Sequence, residues 1–203
     1  MKNAGLKALL CVALLFCGTA TVHAQGIRPG AGPVSAPSTL SSTTYFDTSH
    51  GDETVRLVNP TSNPVLCAMI YVFDSDEELQ ECCGCPVSTN GFHSLSTKLN
   101  LTSNPAYSAF DQGEIEIVSS VPNVAGICDP GAGVNPTPTV LAWAVHEEAL
   151  VESSSTVATS VKEFLSAGST IDEVNLVTTL EPFCAILQGL PSGHGICTCR
   201  EPG

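Results

Sequence analysis

Short runs of alternating apolar and polar residues recur along most of this chain. Residues 53–58 (ETVRLV) alternate strictly and then break at Asn59-Pro60. That period of two predicts a strand with one buried face. Residues 65–73 (VLCAMIYVF) are apolar almost without interruption, which predicts a central strand buried on both sides. Residues 91–99 alternate Phe92, Ser94, Ser96 and Lys98 against His93, Leu95, Thr97 and Leu99. Residues 113–121 set Ile115 and Ile117 on one face, with Glu114 and Glu116 predicted to point outward. Residues 139–151 predict another buried strand with Trp143 in the core, and residues 156–164 its partner. Between these, residues 74–85 are acidic and then cysteine-rich, which predicts a long loop. Residues 121–138, with four prolines and Cys128, predict a second loop.

The period changes towards the carboxyl end. Thr170-Ile171-Asp172-Glu173 has the form of a capping box. Ile171, Val174, Val177, Leu180, Cys184, Leu187 and Leu190 then fall at helical spacing, predicting a helix over about 171–190. Pro182 is expected to break or kink it near Leu180–Glu181. Together these elements predict an antiparallel β-sandwich, Ig-like or Greek-key, with a C-terminal helical segment over one edge or end. The succession of strand, Asn59-Pro60 turn, buried strand, loop and strand over residues 53–99 resembles the Ig-like modules of secreted bacterial proteins. The resemblance implies a sandwich and carries no function with it.

The first residues follow a different logic. Lys2 and Lys7 precede an apolar run at residues 8–16, and Val22-His23-Ala24 offers small residues for cleavage. This is the pattern of a secretory leader over 1–24. The run is shorter than the roughly 20 residues a membrane helix needs, and no later run is longer, so no integral span is expected. Residues 25–42, rich in Gly, Pro, Ala and Ser, predict a flexible arm, and 43–203 a single disulfide-rich β domain.

Cysteine and charge sharpen this picture. Of ten cysteines, Cys11 and Cys17 would leave with the leader. The remaining eight are Cys67, Cys82, Cys83, Cys85, Cys128, Cys184, Cys197 and Cys199. An even set behind an export signal predicts a disulfide framework, with about 105 pairings open to four bridges. Adjacent Cys82 and Cys83 should reach different partners, because a vicinal ring strains the backbone. Cys184, on the helix stripe, is expected to staple to Cys197 or Cys199. A metal–thiolate or redox centre on the same clusters is the competing reading. The chain carries 7 Lys and Arg against 20 Asp and Glu, a net charge of −13, which becomes −15 when Lys2 and Lys7 are removed. That sign disfavours nucleic acid and anionic membranes as partners.

Catalytic motifs are fragmentary. His146-Glu147-Glu148-Ala149-Leu150 lacks the second histidine of H-E-x-x-H. The run Gly189-Leu190-Pro191-Ser192-Gly193 does not form G-x-S-x-G, although His194 follows closely. Asp74, Asp76 and Glu78 offer oxygen ligands at alternating positions, a candidate calcium loop without the rest of an EF-hand. Asn100-Leu101-Thr102 is an N-glycosylation sequon. The expected role is that of a secreted, non-catalytic structural, surface-associated or binding protein, with an extracellular partner or self-association. The alternatives are a polymer subunit whose arm, ending in Thr43-Thr44-Tyr45-Phe46, adds a strand to a neighbour, a secreted hydrolase, and a metal–thiolate or redox protein.

Overall fold

The computed structural model describes residues 40–62, 65–138, 140–149, 157–163, 165–166 and 170–200. The leader expected over 1–24, and the expected arm as far as residue 39, lie outside the described residues. The elements run β1 (Ser41–Asp47), β2 (Glu53–Val58), β3 (Val65–Asp74), β4 (Leu79–Ser88), β5 (Phe92–Ser96), a single wide helical turn (Thr97–Leu101), β6 (Gln112–Val121), β7 (Asn135–Pro136), β8 (Leu141–Ala149), β9 (Val157–Glu163), β10 (Leu165–Ser166) and α1 (Thr170–Gln188). One sheet has the order β10-β1-β6-β3-β4, with β7 beside β6. The second has the order β5-β2-β8-β9, and every pairing between named strands is antiparallel.

The two sheets form the sandwich that the alternating pattern predicts. Leu66, Ala68, Ile70 and Val72 of β3 meet Val55 and Leu57 of β2 and Leu95 of β5 in the interior, with Ile115 and Ile117 of β6 alongside. The other face of β3, with Cys67, Met69 and Tyr71, lies under α1, whose Val177, Leu180, Cys184 and Leu187 are buried there. Covering on both sides explains why β3 reads as one apolar run. It also corrects the expected position of the helix, which covers the face of the larger sheet and not an edge. Pro182 does not interrupt it. Proline removes the hydrogen bond to the Thr178 carbonyl, but buried side chains on both sides of that point hold the segment in place.

Three further expectations change. Residues 74–85 are a tight turn followed by β4, because Asp74 closes the turn with its own carboxylate and the cysteines fit the alternation of a strand. Residues 41 and 42, the last of the expected arm, belong to β1, which pairs with the chain's own β6, so Thr43–Phe46 are engaged within this sheet. Trp143 is half-buried, since its register partner Arg56 points away from the interior that Val55 and Leu57 fill.

All eight cysteines among the described residues are paired, at Cα–Cα distances of 5.4 Å for Cys67–Cys128, 6.0 Å for Cys82–Cys184, 5.2 Å for Cys83–Cys197 and 5.3 Å for Cys85–Cys199. As expected, Cys82 and Cys83 reach different partners. Cys184, however, bonds to β4 and not to the tail, because the helix lies on the outward face where Cys82 points. Strand alternation turns Cys83 and Cys85 inward, where the tail returns to meet them. The Cys82 amide donates to the Gly195 carbonyl at 3.0 Å, and the Cys197 amide to the Cys82 carbonyl at 3.3 Å. The tail thus covers β4, an edge strand of the larger sheet. A side chain at Gly84 would collide with the Cys128 carbonyl, so glycine in Cys-Cys-Gly-Cys lets that loop lie against the strand.

Asn100 closes the same seam from the other sheet. Its Oδ1 accepts from the Ser96 amide at 2.8 Å, and its Nδ2 donates to the Arg200 carbonyl at 2.7 Å and to Thr198 Oγ1 at 3.2 Å. The sequon nitrogen is therefore committed to holding the tail.

The two tail bridges close nearly the same loop, each with a sequence separation of 114. Once one is closed, the other closes only a small extra loop. Replacing Cys85 and Cys199 by Ala is expected to cost about 2 kcal/mol, and removing both bridges more than twice that. Denaturant unfolding of the two variants measures the difference, and a loss for both bridges of only twice the single loss would show that the bridges act independently.

Candidate functional site

Register builds a floor on the helix-covered face of the larger sheet. Directly paired antiparallel residues share a face, so Thr43, Glu116, Tyr71 and Cys82 form one row across β1, β6, β3 and β4. Tyr45, Glu114 and Phe73 form the next. The Cys82–Cys184 bond clamps α1 above the end of the first row, and Glu181 of α1 accepts from the Gly133 and Val134 amides at 3.0 and 3.2 Å.

Where the helix stops covering the sheet, two clefts open. One, of about 640 Å³, is lined by Thr43, Tyr45, Phe73, Glu114, Glu116 and Leu180 among others. The second, of about 540 Å³, is lined by Phe73, Leu79, Tyr107, Phe183, Ile186 and Leu187, with Glu77 and Glu78 at its rim. They share Phe73 and Glu77 and form one groove. Glu116 lies on the face the alternation predicts, but it is buried in the groove floor and Thr43 Oγ1 donates to its Oε2.

The expected calcium ligands stand beside this groove on the β3–β4 turn. Asp74 Oδ1 accepts from the amides of Asp76 and Glu78, both at 3.0 Å, and Oδ2 from Gln80 Nε2 at 2.6 Å. Its carboxylate thus staples the turn, while Asp76 and Glu78 are exposed. Among the described residues, no three carboxylates converge to within 4.8 Å. The sulfurs of Cys83, Cys85 and Cys199 do converge, and all three are held in disulfides.

The histidines lie elsewhere. His146 Nδ1 stands 2.8 Å from Glu53 Oε1, with both side chains nearly shut off from water. His194 is exposed, with Nδ1 3.1 Å from the Pro105 carbonyl. The Ser192 hydroxyl accepts from the His194 amide at 3.3 Å.

Two groups titrate abnormally near the clamped strands. Burial raises the Tyr71 phenol, and the charges of Glu181, Asp129 and Glu116 add to the effect. Tyr71 Oη donates to the Pro130 carbonyl at 3.0 Å. Burial also pushes the Glu81 carboxyl up to about 8, against a smaller opposing pull from the Asn104 amide that its Oε1 accepts.

Fold and groove together define a disulfide-stapled antiparallel β-sandwich whose larger sheet carries a helix and an open, acid-rimmed cleft. Comparison with protein-family models, curated proteins and solved structures finds no match to the chain.

Folded Glu81 keeps its proton to about pH 8, whereas the unfolded chain releases it near the ordinary value of 4.5. Between those values the native state binds the extra proton, so stability falls as pH rises through that window. Glu81→Gln is expected to flatten this fall, by up to about 1.4 kcal/mol per pH unit. Urea unfolding at several pH values reads the slope, and an unchanged slope would show that Glu81 is already ionised in the native state.

Proposed function

We propose that the chain is an exported, extracellular binding domain and that the groove beside α1 receives its ligand. The observation that carries this reading is the uncovered apolar surface of a preformed cleft. Phe183 is 54 % exposed, Ile186 62 % and Tyr107 68 %. Helix α1 thus carries large apolar side chains on the side away from the sheet as well as towards it. Such a helix in contact with water points to a partner that covers it. The leader pattern and the four disulfides support export to an oxidising compartment. No helix among the described residues is long and apolar enough to cross a membrane.

A binding role fits the groove better than hydrolysis does. Among the described residues, its lining holds carboxylates, a threonine and aromatic rings but no histidine. The His146–Glu53 pair belongs to the smaller sheet, where β2 and β8 meet.

The uncharged, solvent-sensitive dye Nile red tests the reading. Folded, disulfide-intact protein is expected to enhance and blue-shift its emission, and the double variant Phe183→Ser/Ile186→Ser to lose at least about tenfold in dye affinity. Both positions are exposed, so stability should change by no more than about 0.5 kcal/mol each. Absence of dye uptake, or uptake unaffected by the two substitutions, would remove the groove as the binding site.

A further inference from the structure

The lining of the groove also specifies its occupant. Glu77, Glu78 and Glu114 are exposed at the rim, and Glu116 lies in the floor. Among the described residues, no lysine or arginine lines either cleft. Low-dielectric walls concentrate the field of like charges, so a groove of this kind attracts cations and repels anions. Its apolar lining, from Phe73 through Leu180, Phe183 and Ile186, asks for apolar side chains at the same time. A bare metal ion meets only half of that chemistry, and the described carboxylates do not converge on one.

Size separates the remaining candidates. Each cleft has the volume of a whole small-molecule site, and the two adjoin along the helix. That shape suits an extended ligand that sets successive apolar side chains into successive hollows. A second copy of this chain is disfavoured by charge, since each copy carries 20 Asp and Glu against 7 Lys and Arg.

Resting on the binding role proposed above, we infer that the groove takes a peptide segment of another protein in which lysines or arginines accompany apolar residues. The apolar side chains occupy the clefts at Phe73, Phe183 and Ile186. The cations face Glu77, Glu78 and Glu114.

Fluorescence anisotropy with labelled model peptides tests this. A Leu/Lys peptide, its Leu/Ser counterpart and its Leu/Glu counterpart are titrated with the folded protein at about 20 and 300 mM salt. The Leu/Lys peptide is expected to bind at least about tenfold more tightly than Leu/Ser and to weaken in the higher salt, with Leu/Glu not binding. Glu77→Gln/Glu78→Gln/Glu114→Gln should lose about tenfold in Leu/Lys affinity while keeping its Nile red uptake. Phe183→Ser/Ile186→Ser should lose both. Equal affinity for Leu/Lys and Leu/Ser would overturn the cationic occupant while the binding groove stood. Leu/Lys binding that survives Phe183→Ser/Ile186→Ser would be attraction to the acidic surface at large, and would equally overturn it. So would a dimer in analytical ultracentrifugation that those two substitutions dissolve, since it would give the groove to a second copy. A simple cationic detergent that binds as tightly as the peptide would overturn the peptide and leave a small amphiphile in its place. Loss of Nile red uptake by the native protein itself would instead overturn the binding role.

Discussion

Everything in this molecule hangs on the β3–β4 hairpin being cross-linked through both of its faces. Side chains on a strand alternate, and the cysteines use that alternation. Cys67 and Cys82 point outward and take the 128 loop and α1, while Cys83 and Cys85 point inward and take the tail. One hairpin therefore holds the helix, the longest described loop and the chain end at once. The hydrophobic effect fills the interior around it, but four covalent ties decide what lies over each face. Sequence separations of 61 to 114 residues mean that each tie closes a long loop and removes much of the freedom of the unfolded chain.

The groove is a consequence of that clamp. Val177, Leu180, Cys184 and Leu187 bury one side of α1, and the bond at Cys184 fixes where along the sheet the helix rests. Tyr45 and Phe73, on the row beyond, are left without full cover. Phe183 and Ile186 lie on the outward side of the same helix, where no slide along the sheet buries them. The covalent tie fixes where the helix crosses the sheet, and the cleft lies beside that point.

The parts of this architecture that were legible in the sequence are those with a local periodic signature. Residues 65–73 print as one apolar run because both faces of β3 are covered, and 53–58 alternate because β2 has one buried face. Partnership between the strands around 139–151 and 156–164 also follows the pattern, as β8 and β9 pair in register. Strand β4 was illegible because three of its inward positions, Glu81, Cys83 and Cys85, carry no strand periodicity until their partners are known. Glu81 is fully buried only because the tail and the 102–110 loop close over that end of the strand. Asp74 reads as a metal ligand when its neighbours are acidic, yet its oxygens serve the turn. The groove draws residues from β1, β3, β6, α1 and the loop at Tyr107. No spacing in one segment can announce such a site. Its one local trace is the apolar character of Phe183 and Ile186 on the wrong side of a helix whose buried stripe was already complete.

That trace also gives the charge of the chain a physical place. An open cleft lined by Phe73, Phe183 and Ile186 invites copies of the protein to stick to one another through their apolar surfaces. A net charge of −13 opposes that encounter at long range. Glu77, Glu78 and Glu114 oppose it at the rim, where a second copy would have to bring its own acids into the same confined space. The repulsion is selective. It acts on another acidic chain and reverses sign for a cationic one, the preference that the proposed occupant would meet. Cross-links that free the helix from having to bury all its apolar residues, and acids that keep those residues from self-association, are two halves of one solution. The bond at Cys184 fixes the helix above the sheet, and the acids at the rim set the sign of what the uncovered apolar surface meets.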